Sequence, residues 1–80
     1  MQAAGIAEAY GTLVSSHLMP EVSAHLLAAT PTCHWLEYVD WTDAIASEAV
    51  KIEHGCWPMN ENPGSGVAWD DEAVEHYRIA

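Results

Sequence analysis

Positive charge is scarce in these 80 residues: two Lys and Arg stand against twelve Asp and Glu, a formal charge of −10 with His neutral. Nucleic acids and anionic membranes are bound by clustered Lys and Arg, so neither is an expected partner. The acidity itself reads as a solvated surface. Long apolar runs are also missing. None approaches the roughly 18 residues of a membrane span, and no basic start followed by an apolar core marks a secretory leader. Cysteine is limited to Cys33 and Cys56, which have no CxxC spacing and no disulfide framework to join. They read as reduced thiols, and a cytoplasmic location is expected. Metal motifs are absent as well. There is no HExxH, the His17 to His25 spacing suits no zinc site, and His54 near Cys56 lacks the second pair that structural zinc requires. No metal ligand is therefore expected within the chain, and no internal repeat or low-complexity segment is visible.

What remains is half apolar and carries four tryptophans. A chain of this length makes at most one small domain, burying only about 60–65% of its unfolded surface. Gln2 to Tyr10 reads as a helix with Ala3, Ile6, Ala7 and Tyr10 on one face, stopped by Gly11. Thr12 to Ser15 reads as a buried strand ending at His17. Pro20 then starts a helix to Ala29 with Glu21 in its first turn, Val22, Leu26 and Ala29 facing inward, and Pro31 beyond its end. Glu21 and His25 are placed to pair along its surface. His34 to Val39, carrying Glu37, reads as a second strand, with His34 in a packing role. Trp35, Tyr38 and Trp41 read as core or interface aromatics. Residues 44–49 read as short helix or irregular chain, and 50–59 as a hairpin turning at His54-Gly55. A polar loop covers Asn60 to Gly66, a short extended piece Val67 to Trp69, and a final helix runs from Asp71 to about Tyr77, capped by Asp70.

Strand, helix and strand form a βα unit if the strands are parallel. In α/β barrels the chemistry sits at the C-terminal ends of the strands. His17 and Glu37 occupy those ends, and neighbouring strands lie about 4.8 Å apart, so both side chains can share one pocket. A base and an acid on one cavity make a proton-transfer pair. Leu18 and Met19, just after the histidine, are candidate pocket walls for substrate.

The stretch VSSHLMPEVSAHLLAATPTCHWLEYVDW, with Val50-Lys51-Ile52-Glu53-His54-Gly55 and Asn62-Pro63-Gly64-Ser65-Gly66-Val67 after it, resembles the mandelate racemase/muconate lactonizing branch of the enolase superfamily. The resemblance implies an α/β fold: the C-terminal part of a (β/α) barrel, with its last two strands and intervening helix, followed by a return toward a capping domain. Residues 1–47 would be the end of the barrel and 48–80 the return segment. Ser65 and Ala49 depart from the pattern, away from the chemistry. A complete member is several times longer, so the resemblance implies a fragment or truncated frame that does not fold stably alone.

In that family the common step removes the proton beside a substrate carboxylate, giving an enediolate stabilised by Mg²⁺. Carried across, His17 matches the histidine base and Glu37 the glutamate that bonds the substrate carboxylate. Burial between Leu36, Tyr38 and the barrel interior is expected to keep Glu37 neutral, as a donor. The magnesium ligands are expected upstream, outside this chain, so the isolated fragment is expected to be inactive. The whole enzyme is expected to be a racemase-like isomerase, or an acid-sugar dehydratase sharing the first step. Its expected partner is a small hydroxy acid or acid sugar, and its expected state a homo-oligomer. The competing readings are a non-catalytic remnant or interaction module and, more remotely, a histidine-based metal carrier.

Overall fold

The computed structural model describes residues 1–80. It contains three helices, α1 (Gln2–Tyr10), α2 (Pro20–Ala28) and α3 (Asp71–His76). The residues pack as two units, Met1–Val39 and Asp40–Ala80.

In the first unit, α1 is built on alanine, the best helix former, and it stops at Gly11 as its sequence predicts, with φ of 64°. The Gly11 N–H donates to the Glu8 carbonyl (3.1 Å) and the Thr12 N–H to Ala7 (2.8 Å). Together these are the paired bonds of a Schellman cap. Pro20 opens α2 at a position where a missing N–H costs nothing. At its far end the Thr30 hydroxyl donates to the Leu26 carbonyl at 2.8 Å, and a turn closed by Cys33 N–H on Thr30 (3.2 Å) sends the chain back.

The returning segment pairs in parallel with the one before α2. Val14 and Cys33 form a parallel bridge, in which the Val14 N–H donates to Thr32 (2.9 Å) and the His34 N–H to Val14 (2.8 Å). The predicted βα unit is therefore present. Regular pairing would next take the Ser16 N–H to the His34 carbonyl. It goes instead to Trp35, at 3.0 Å, so the second segment has gained one residue, as in a bulge.

Several expectations about this unit are corrected. The segment 12–15 is not buried: Leu13 is 61% exposed and Val14 only half-buried, because a short parallel pair under two small helices covers one face at most. Residues 34–39 do not form a continuous strand, since the slip at Trp35 ends the ladder. The helices also bury other faces than predicted. α1 buries Ala4 while Ile6 and Tyr10 are exposed, and α2 buries Pro20, Glu21 and Ala24 while Val22 and Leu26 are exposed. The large apolar side chains of both helices therefore lie on faces that this unit leaves uncovered. Glu21 is thus buried rather than on the helix surface, with His25 half-buried. Trp35 and Tyr38 are exposed, as is Trp41 in the second unit, so the core reading of these aromatics is not met.

In the second unit, residues 44–49 are irregular, and Ala46 bridges Trp69 in antiparallel sense. The Ser47 N–H donates to Ala68 (2.9 Å) and the Asp70 N–H to Ile45 (2.8 Å), so residues 45–47 pack with this unit. The hairpin predicted at His54-Gly55 is present at its tip. Glu53 and Cys56 exchange both backbone bonds, at 3.0 and 2.8 Å, and His54 and Gly55 have φ of 51° and 71°. Two successive positive φ values are the signature of a type I′ turn, which glycine adopts without cost. Asp70 caps α3 as predicted, its carboxylate accepting the Ala73 N–H at 3.1 Å. No helix of the chain is long and apolar enough to cross a membrane, and Cys33 and Cys56 are free and exposed.

Candidate functional site

Strand geometry ends at Ser16, and the next three residues leave the sheet abruptly. Leu18 and Met19 have φ of 61° and 47°, the left-handed region that costs an ordinary L-residue about 1–2 kcal/mol. Met19 is also the N-cap of α2, and it lends no side-chain hydrogen bond to the helix. Two consecutive strained residues persist only where their surroundings hold them. Here they do so on both sides of Leu18: its N–H donates to Glu37 Oε2, and its carbonyl accepts the Ser23 hydroxyl at 2.9 Å. The Met19 carbonyl accepts the Val22 and Ser23 N–H groups, at 3.1 and 2.9 Å.

This loop presents His17 outward, its side chain 87% exposed. Its Nε2 lies 3.9 Å from Glu37 Oε2. The two predicted site residues are therefore brought together at the same end of the parallel pair, and Leu18 joins them through its backbone. Met19 lies beside them in sequence but contributes conformation rather than a contact to either side chain.

The burial expected for Glu37 is not supplied by these residues. Its side chain is 46% exposed, because Leu36 is only half-buried and Tyr38 is exposed. The apolar enclosure expected around it is lacking on this unit. Elsewhere, no group of three or more His, Cys, Asp and Glu side chains converges. The 80 residues by themselves do not fit a magnesium ion.

Sequence reasoning missed the serines. The Glu37 N–H donates to Ser16 Oγ and the Trp35 N–H to Ser15 Oγ, each at 3.2 Å. Both hydroxyls accept main-chain donors across the slipped pairing. The signal available was the paired Ser15-Ser16 directly before the histidine, since serine hydroxyls are short enough to compete for nearby backbone groups.

Comparison with known proteins identifies relatives of the chain. A family model described as enolase C-terminal domain-like matches residues 1–73. L-talarate/galactarate dehydratase of Salmonella typhimurium is 28% identical over 68 residues, covering 85% of this chain and 17% of that protein. An enolase from Bradyrhizobium, solved with magnesium and mandelic acid, matches 98% of this chain and 21% of its own, with a TM-score of 0.88 and 41% identity. L-talarate dehydratase from Polaromonas sp. JS666, solved with Mg and L-glucarate, matches 98% of this chain and 22% of its own, with a TM-score of 0.80 and 26% identity. The chain thus spans roughly a fifth of the length of the relatives it matches.

Proposed function

This chain belongs to the enolase C-terminal domain-like family, and from that membership we propose that His17 and Glu37 serve the removal of a proton alpha to a substrate carboxylate. The observation that carries the reading is their convergence, Nε2 to Oε2 at 3.9 Å, at the end of the parallel pair where barrel enzymes keep their chemistry. His17 Nε2 takes the alpha proton; the C–H electron pair moves toward the carboxylate and forms the enediolate. Glu37 Oε2 accepts the Leu18 N–H, so Oε1 is the atom that would carry the proton of a neutral carboxyl and donate it in a hydrogen bond to the substrate carboxylate as its charge builds. A hydrogen bond that strengthens with that charge stabilises the transition state. Leu18 and Met19 contribute walls.

The substrate class we propose is a small hydroxy acid, processed by a mandelate racemase-like isomerase within a longer polypeptide. The second reading, an acid-sugar dehydratase, is supported by the likeness to the Salmonella typhimurium dehydratase. There the same enediolate would expel a β-hydroxyl as water instead of being reprotonated. In either case the Mg²⁺ that accompanies the solved relatives would need ligands from outside these residues. We place the protein in the cytoplasm, as a homo-oligomer.

The test is deuterium exchange at the alpha carbon, by the intact protein in D₂O, against panels of hydroxy acids and acid sugars. His17→Asn is expected to slow exchange by roughly 10²- to 10⁴-fold, the usual contribution of a positioned general base. Exchange that survives H17N undiminished would remove the base assignment. Whether racemised substrate or a dehydrated keto acid accumulates decides between the two readings.

A further inference from the structure

Glu37 belongs to the chemistry only if its side chain is delivered to the loop that carries His17, and regular parallel pairing does not deliver it. Below the slip the register is set by backbone bonds, Val14 to Thr32 and His34 to Val14. Above it, the Ser16 N–H takes the Trp35 carbonyl, and the return bond from the Glu37 N–H goes to Ser16 Oγ at 3.2 Å. A side-chain oxygen stands where a parallel ladder would use a main-chain carbonyl. Ser15 Oγ likewise accepts the Trp35 N–H, a donor that regular pairing with this segment does not use. The hydroxyls thus hold the extra residue of the second segment at the point where the first segment must depart into the strained Leu18-Met19 turn.

We propose that Ser16 is a positioning residue: its hydroxyl, by accepting the Glu37 N–H, fixes the one-residue slip that sets the Glu37 carboxylate against the Leu18 N–H and beside His17. Two bonds flank the carboxylate, one from the Glu37 N–H to Ser16 Oγ and one from the Leu18 N–H to Glu37 Oε2. Both close onto the same four-residue stretch, Ser15 to Leu18. Loss of the first removes the register that the second depends on. Ser16 itself is half-buried and touches neither reacting group. Alanine at this position would leave the Glu37 N–H without its hydroxyl acceptor, whereas threonine keeps an oxygen there.

The inference deepens the proton-abstraction reading but has its own readout. In the intact protein, amide hydrogen exchange at Leu18 is compared among wild type, Ser16→Ala and Ser16→Thr, with the Val14 amide as reference for the pairing below the slip. S16A is expected to lower Leu18 protection relative to Val14 about tenfold, the equivalent of one hydrogen bond of ordinary strength, and S16T to restore most of it. Equal Leu18 protection in S16A and wild type overturns the proposal, as does equal loss in S16A and S16T. Should S16A unfold the unit, Ser16→Cys, which nearly keeps the volume but offers a poor acceptor, takes its place under the same criteria. Alpha-deuterium exchange is followed in parallel, where S16A is expected to reduce kcat with little change in KM and S16T to recover it. A wild type without alpha exchange sinks the functional reading alone; the amide comparison still decides the role of Ser16.

Discussion

Leu18 and Met19 spend conformational energy at the one place where the chain must turn sharply between a strand end and a helix start. Their left-handed φ values are tolerated because Glu37 and Ser23 grip both backbone groups of Leu18. Steric demand of another kind sits at Gly66, with φ of +78°, where an added Cβ would run into the Asn60 side chain. That side chain is itself held, its Oδ1 accepting the Asn62 N–H at 3.1 Å. Gly64 has a similar φ, +66°, with open space around it. Gly66→Ala is therefore expected to cost about 2–3 kcal/mol and Gly64→Ala about 1–2, the left-handed penalty alone. Thermal unfolding of the two variants in the intact polypeptide makes the comparison, and equal losses would refute the role of Asn60.

Elements show which parts of this molecule can be read from sequence. All three helices were legible, because their ends are marked by local chemistry: Gly11 after α1, Pro20 at the start of α2, Asp70 before α3. The His54-Gly55 turn was legible for the same reason. That turn carries its own prediction. Its first central position prefers Asn over His, so His54→Asn is expected to raise the denaturation midpoint by the equivalent of about 0.5–1 kcal/mol; a lowered midpoint would contradict the turn assignment. The faces of α1 and α2 were not legible, since Ile6, Tyr10, Val22 and Leu26 have the spacing of a core but nothing in the chain to pack on. Neither was the slip at Trp35, which depends on two hydroxyls and leaves no trace in apolar periodicity. At the site, His17 and Glu37 were visible as ionisable residues at strand ends, while the enclosure expected around Glu37 is not met, since flanking Leu36 is only half-buried and Tyr38 is exposed.

Across the whole molecule, apolar residues that ought to be covered are exposed. The buried apolar side chains are the small ones of Ala4, Pro20 and Ala24, while Trp35, Trp41, Leu13 and Tyr10 are mostly accessible. Against their tendency to associate stands a net charge of −10, whose repulsion between chains reaches about 30 Å at ~0.01 M salt but only about 3 Å at ~1 M. The 80-residue chain on its own is expected to sediment as dispersed species at low salt and to associate as salt is raised. Identical sedimentation at both ends of that range would mean that these surfaces do not attract one another.

The parallel pairing also imposes an order in time. Glu37 lies 20 residues after His17, and at synthesis rates of roughly 5–20 residues per second it follows the histidine by about 1–4 s. Helix α2 needs only on the order of microseconds to form, so the histidine loop and its helix wait, unlocked, for the strand that carries the carboxylate. Until that strand docks, Leu18 has no carboxylate to hold its N–H and His17 has no acid beside it. The histidine and the carboxylate thus meet only when the second segment has closed onto the first.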